Sequence, residues 1–154
     1  MIYEDGIREA YEGELAAECV YRALSERAGD EQTRAKYAAI SAVERTTHHA
    51  LQPIVDRLGI TTKQEQIQAN AARRTEELSR LSWREFIDQA RKQWPCYVDR
   101  FRALQSIAPP MDSAALRHLV DHEVALVQFV NAEWNSDSGG CALDILHRFI
   151  RQCG

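Results

Sequence analysis

Residues 29–59, GDEQTRAKYAAISAVERTTHHALQPIVDRLG, decide the fold that this sequence predicts. A glycine stands at each end, and glycine commonly closes a helix. Asp30 suits an N-cap, because its carboxylate can accept a hydrogen bond from a free amide of the first turn. In between, apolar or small residues recur at steps of three and four, which places them on one face of an α-helix. The stretch therefore predicts a long amphipathic helix over about 31–58, kinked at Pro53.

The remainder of the chain carries the same helical pattern, and no run alternates as a strand would. Helices within each pair are joined by a short connection, so each pair must be antiparallel. A long polar segment separates the two pairs. The sequence therefore predicts an all-α single domain over 1–154, a four-helix bundle of two hairpins and one long helical crossover. We expect core helices over about 3–28, 31–58, 83–108 and 112–134, a crossover helix over about 62–81, and a short C-terminal helix over about 141–152.

Composition excludes several classes of protein. The formal net charge of the 154 residues is -4, whereas a nucleic-acid binder is usually basic. No apolar run approaches the roughly 20 residues that span a bilayer. The first residues lack the basic and apolar regions of a secretory signal, so we expect a cytoplasmic protein. The four cysteines form no C-x-x-C pair, which argues against a zinc ribbon.

Three of the apolar stripes contain a glutamate near the middle: Glu14, Glu44 and Glu123. Glu14 and Glu44 lie at nearly equal distances along the chain from the turn at 29–30, so we expect them to face each other. By the same counting from the second turn, at about 109–111, Glu123 faces Tyr97. Buried carboxylates are costly unless they are protonated, paired or bound to a metal. Carboxylate ligands suit iron and manganese, so the sequence predicts an acidic cluster inside the bundle that binds one of these metals.

A metal-free interpretation stays open at this point. The inward glutamates could instead form hydrogen bonds to a tyrosine, to Thr47 or to an arginine of a neighbouring helix. The choice of inner face is also partly free, because three apolar residues compete for it: Leu15, Val43 and Leu126.

The segments around the glutamates resemble the ferritin-like superfamily over about 6–134. They are 12–16 (EGELA), 43–47 (VERTT) and the His-Glu pair at 122–123. The sequence is similar to small uncharacterised ferritin-like proteins. The resemblance implies the ferritin-like bundle topology and, in members that bind two irons or manganeses, a ligand set at mid-bundle. It also implies oxygen or peroxide chemistry if the protein is an enzyme.

The ligand pattern of those metal-binding members is only partly matched here. They carry one Glu on helix one, Glu-x-x-His on helix two, one Glu on helix three and Glu-x-x-His on helix four. Three positions that should hold the remaining ligands carry other residues: Thr47, Tyr97 and Leu126. His48 comes one residue late, about 100° around the helix, and becomes a fourth ligand only if that helix is locally rewound. Tyr97, His122 and Glu18 are expected beside the ligands, His122 orienting a carboxylate and Glu18 joining the cluster or pairing with Arg22.

Three functions are compatible with these residues. The first is a ferritin-like protein that binds iron or manganese through Glu14, Glu44 and Glu123. The second is a metal-free bundle that acts through an interface, for example as a homodimer. The third is a small-molecule binder that uses the cavity between helices. The sequence fixes no reaction and no substrate.

Overall fold

The computed structural model describes residues 2–136 and 141–153, and within them the chain is helical and contains no strand. The all-α prediction is confirmed. A short 3₁₀ helix, Pro110–Asp112, precedes the sixth α-helix. The α-helices are α1 (Tyr3–Arg27), α2 (Glu31–Leu58), α3 (Gln64–Ser79), α4 (Trp83–Gln93), α5 (Pro95–Ser106), α6 (Ser113–Asn135) and α7 (Cys141–Cys153). No helix in this part of the chain is both long enough and apolar enough to cross a membrane.

The residues at the helix ends explain where the helices begin and stop. The Asp30 side chain accepts a hydrogen bond from the Thr33 amide at 2.8 Å, which caps α2. Gly59 has a φ of 64°, the left-handed conformation in which a helix commonly ends. Ser82 and Glu85 form the capping box of α4, each side chain accepting the other residue's amide.

The third predicted core helix, 83–108, is two helices in the structure. Proline has no amide hydrogen and its ring clashes with the preceding turn, so Pro95 cannot continue α4. It begins α5 instead, and the Tyr97 amide bonds back to the Trp94 carbonyl at 2.9 Å. This break changes which face α5 presents to the interior.

Two apolar clusters fill the interior, one towards each end of the helices. Helices α1 and α2 pack against each other, α6 packs on α2, α4, α5 and α7, and α3 packs on α1. One cluster includes Tyr21, Ile40 and Phe129. The other includes Ile7 and Leu51. Each of α1, α2 and α6 contributes to both clusters, and the segment between its two contributions is polar.

An ion pair between Arg57 and Asp112, the last residue of the 3₁₀ helix, fixes one end of the fold. Asp112 is 3% exposed and accepts two hydrogen bonds from the Arg57 guanidinium, at 2.6 and 2.7 Å. The Tyr3 hydroxyl donates a third at 2.8 Å. Hydrogen bonds from Arg57 hold the pKa of the Asp112 carboxyl below its usual range.

Replacing Asp112 by asparagine should lower the free energy of unfolding by about 2 kcal/mol, because the charged hydrogen bonds are lost. The depressed pKa means that the carboxylate stabilises the fold above the unfolded-state pKa of roughly 3.9, and that this stability is lost as the pH falls through the lower folded value. Urea unfolding at pH 7 and at pH 3 measures both effects. Asp99→Asn, at an exposed site without an ion pair among the described residues, is the matched control. Equal stability of the two variants at pH 7 would contradict this account.

Candidate metal centre

A layer of buried polar side chains separates the two apolar clusters. It consists of residues from the polar middle segments of α1, α2 and α6: Glu14, Glu44, Thr47, His122 and Glu123. Charged groups are rarely buried in this way unless they are paired, protonated or bound to a metal. The geometry of the layer therefore decides what it can bind.

His122 lies at the centre of this layer and is 0% exposed. Its Nδ1 lies within hydrogen-bond distance of the Leu119 carbonyl, one turn earlier in α6. A carbonyl oxygen only accepts, so Nδ1 carries the ring proton. In the neutral ring, Nε2 is then an unprotonated nitrogen with a free lone pair. A backbone carbonyl fixes the tautomer of metal-binding histidines in the same way.

Three carboxylates surround that nitrogen. His122 Nε2 lies 3.1 Å from Glu14 Oε2, 3.4 Å from Glu123 Oε2 and 3.8 Å from Glu44 Oε2. Despite the short distance, neither His122 Nε2 nor Glu14 Oε2 has a hydrogen-bond partner among the described residues. These two buried atoms therefore face each other at 3.1 Å and need either a shared proton or a cation between them. A cation bound to both atoms would satisfy them.

The spacing of these groups matches that of metal ligands. One ligand atom from each of Glu14, Glu44 and His122 lies within 4.8 Å of the other two. The donor set is one imidazole nitrogen with carboxylate oxygens. Carboxylates suit hard or borderline ions, and imidazole suits iron, copper, nickel and zinc. A buried Glu-Glu-His group of this kind can hold a metal ion.

Burial dominates the electrostatics of the cluster. Loss of solvent raises the pKa of Glu14 to about 8, and a neighbouring carboxylate, Glu123, raises it as well. Loss of solvent likewise raises the pKa of Glu123 to about 8. The pKa of Glu44 is raised well above its usual value by burial and by the charge of Glu14, with which it shares a hydrogen bond. Without a cation, the cluster therefore retains protons near neutral pH, and a metal would displace them.

The structure brings Glu14, Glu44 and Glu123 together, as the counting from the turns predicts. All three side chains are buried, and all three line one cleft. The facing of Glu14 and Glu44 follows from the tight turn, which pairs positions at similar distances on α1 and α2.

His48 does not lie in the cluster, so the condition under which it was expected to be a fourth ligand, a local rewinding of α2, is not met. Its Nε2 lies 2.8 Å from Glu18 Oε1, and its ring meets Tyr11 edge-on. The reason is helical rotation: α2 is an uninterrupted α-helix, so nothing rewinds it at this position. The prediction for Glu18 was wrong, because it contacts His48 and Arg45 rather than the cluster or Arg22.

Tyr97 was predicted to lie inside the bundle level with Glu123, and this prediction was wrong. The side chain is 39% exposed, and its ring contacts Phe101 and the Arg100 guanidinium. The break before Pro95 sets the register of α5, so that Phe101 lies against the His122 ring at 5.9 Å between centroids. Tyr97 lines the outer part of the cleft instead.

His122 is the residue of the cluster whose position the sequence predicts wrongly. It was expected to orient a carboxylate from outside the cluster, but its Nε2 is at the centre. Adjacent positions on a helix normally face different directions. Here α6 packs on α2, α4, α5 and α7, so both His122 and Glu123 are buried. The wide apolar face of α6 is the feature of the sequence that could have indicated this burial.

A cleft of about 380 Å³ connects the cluster with the protein surface. It opens between α1, α3 and α5, and the same cavity is lined by the buried carboxylates and by exposed residues such as Arg73 and Arg100. Metal sites that serve only structure are usually closed, whereas catalytic sites leave a position open to a small molecule. The cluster has the access that the second kind of site needs.

Comparisons with models of protein families, with curated proteins and with solved structures found no match for this chain.

Proposed function

We propose that this protein is a helical bundle of ferritin-like topology that binds one transition-metal ion, iron or manganese, through Glu14, Glu44 and His122. Glu123 stands beside them as a further carboxylate. The observation that carries the proposal is the unpartnered His122 Nε2, held with its lone pair towards an unpartnered carboxylate oxygen. A proton shared by the two atoms or a cation bound to both would satisfy them, and the two further carboxylates near the nitrogen, Glu44 and Glu123, favour the cation.

The order and packing of the helices support the topology. α1 and α2 form a tight hairpin, and α4 and α5, which follow one another at Pro95, form a second one with α6 through the 3₁₀ helix. Between them, α3 runs as the crossover and packs on α1. One long connection between two hairpins is the arrangement of ferritin-like bundles.

The ligand set supports one metal ion rather than two. Two-metal sites of this class use four carboxylates and two histidines. Here the inner layer supplies three carboxylates and one histidine. Iron and manganese fit best, because the set is rich in carboxylate oxygen yet includes an imidazole. A bound ion of this type supplies Lewis acidity and one-electron redox chemistry. The residues of the chain would hold it, exclude bulk water and leave the cleft as the route of access.

Metal titration of chelator-treated protein tests the proposal. We expect one equivalent of manganese(II), or of iron(II) without oxygen, to bind and to raise the melting temperature. At a free metal concentration 100 times the Kd, binding adds about 2.7 kcal/mol to the free energy of unfolding. His122→Ala should abolish the response.

His48→Ala provides a matched control. Both histidines are buried and contact a glutamate, but only His122 faces the cluster. We expect His48→Ala to lower stability and to keep the metal response. Loss of the response in both variants, or no response in the unmodified protein, would contradict the proposal.

A further inference from the structure

The cleft above the cluster has one wall of very small side chains. Ala10, Gly13 and Ala17 of α1 line it. A β-carbon added to Gly13 would meet nothing within 4 Å. Glycine inside a helix costs roughly 1 kcal/mol relative to alanine. Neither backbone conformation nor crowding requires a glycine here, so its effect is to leave space beside the cluster.

The opposite wall is aromatic. Trp94, Tyr97 and Phe101 line it, and together with the α1 wall they form a passage with two apolar sides. At its inner end lies Glu14, whose Oε2 is buried and has no hydrogen-bond partner among the described residues. The passage therefore leads to a polar atom without a partner. Its volume of about 380 Å³ suits a small molecule.

The outer end of the passage is basic, although the chain as a whole is acidic. Arg73 and Arg74 of α3 and Arg100 of α5 line the cleft, against one exposed carboxylate, Glu9. Arg73 and Arg74 share a single ion-pair partner, Glu77. Arg100 lies over the Tyr97 ring, with 5.2 Å between the guanidinium carbon and the ring centroid, and has no ion pair within the described part of the chain.

We propose that this cleft binds a small organic carboxylate, with its charged end at Arg100 and its apolar body between the α1 wall and the aromatic wall. The bound molecule would place its far end at the cluster, and in this respect the inference rests on the proposed metal site. A guanidinium can bind a carboxylate through two parallel hydrogen bonds.

Calorimetric titration with benzoate, 3-phenylpropionate and octanoate, each beside its neutral amide, tests the inference. Manganese-loaded protein is used, and manganese uptake is measured separately for every variant. We expect at least one acid to bind at least tenfold more tightly than its amide. Arg100→Gln should weaken that acid about tenfold, whereas Arg102→Gln, also exposed on α5 but outside the cleft lining, should not.

Gly13→Leu should abolish binding of the acid by filling the cleft, and it should leave manganese uptake unchanged. Gly29→Leu is the control, because a β-carbon there also meets nothing within 4 Å and the residue lies outside the cleft lining. Failure of all three acids to bind, equal affinity for acids and amides, or binding that survives both Gly13→Leu and Arg100→Gln would overturn the inference. If the unmodified protein takes up no manganese, the proposed metal site is overturned instead. Binding of an acid to that metal-free protein would then show that the cleft binds its ligand without a metal ion.

Discussion

Replacing Glu133 by alanine should lower the free energy of unfolding by about 3–5 kcal/mol, because it leaves a buried charge without its partner. Lys36 Nζ lies 2.6 Å from Glu133 Oε1, and the two side chains are only 9% and 5% exposed. The Trp83 indole nitrogen donates to the same oxygen at 2.8 Å. The alanine variant would leave the Lys36 ammonium group and the Trp83 indole N–H buried without this partner.

Urea unfolding of Glu133→Ala measures this effect. Lys36→Met combined with Glu133→Leu should recover most of the stability, since apolar residues of similar volume can replace a buried ion pair at little cost. Glu76→Ala is the surface control: its ion pair with Arg27 has the same kind of geometry but is well exposed, so we expect little change. If the Glu133 and Glu76 variants were equally stable, the buried pair would have no such role.

Chelator-treated protein should become less stable as the pH rises from about 5 to 8, the opposite of the Asp112 effect. The pKa values of Glu14 and Glu123 are raised to about 8 in the folded protein. Between the ordinary glutamate pKa of roughly 4.3 and that value, the folded state holds protons that the unfolded state releases. Rising pH therefore favours unfolding, by at most about 1.4 kcal/mol for each pH unit and each such group.

Thermal melting of metal-free protein at several pH values checks this sign. Glu14→Gln should reduce the loss of stability, because a neutral amide has no proton to release. Glu26→Gln, at an exposed position of α1 outside the cluster, should leave the profile unchanged. Manganese(II) should restore the stability at pH 8, since it binds the ionised carboxylates. A profile that is flat, or that is equally steep in both variants, would contradict the claim that burial raises the pKa values of these glutamates.

The sequence was sufficient to predict the helical fold and three of the residues in the cluster. Steps of three and four identify the buried face of a helix. A tight turn pairs positions at similar distances along the two helices that it joins, which places Glu14 opposite Glu44. These predictions depend on local geometry, and an uninterrupted α-helix preserves that geometry over many turns.

The remaining parts of the site depend on tertiary packing. His122 is inside because α6 packs on α2, α4, α5 and α7, which the periodicity of α6 alone does not show. Tyr97 is outside because Pro95 starts a new helix and changes the register. His48 could be assigned only by knowing that α2 stays regular through that turn. Adjacent residues, such as the pair at 122–123, are where a helical pattern predicts burial least well.

Anomalous diffraction from a crystal soaked in manganese(II) would test the metal site most directly. We predict one anomalous peak inside the protein, within bonding distance of His122 Nε2 and of carboxylate oxygens from Glu14 and Glu44. A crystal of His122→Ala soaked in the same way should lack that peak. Anomalous density only at surface carboxylates, or at the His48–Glu18 pair, with none at the cluster, would contradict the account.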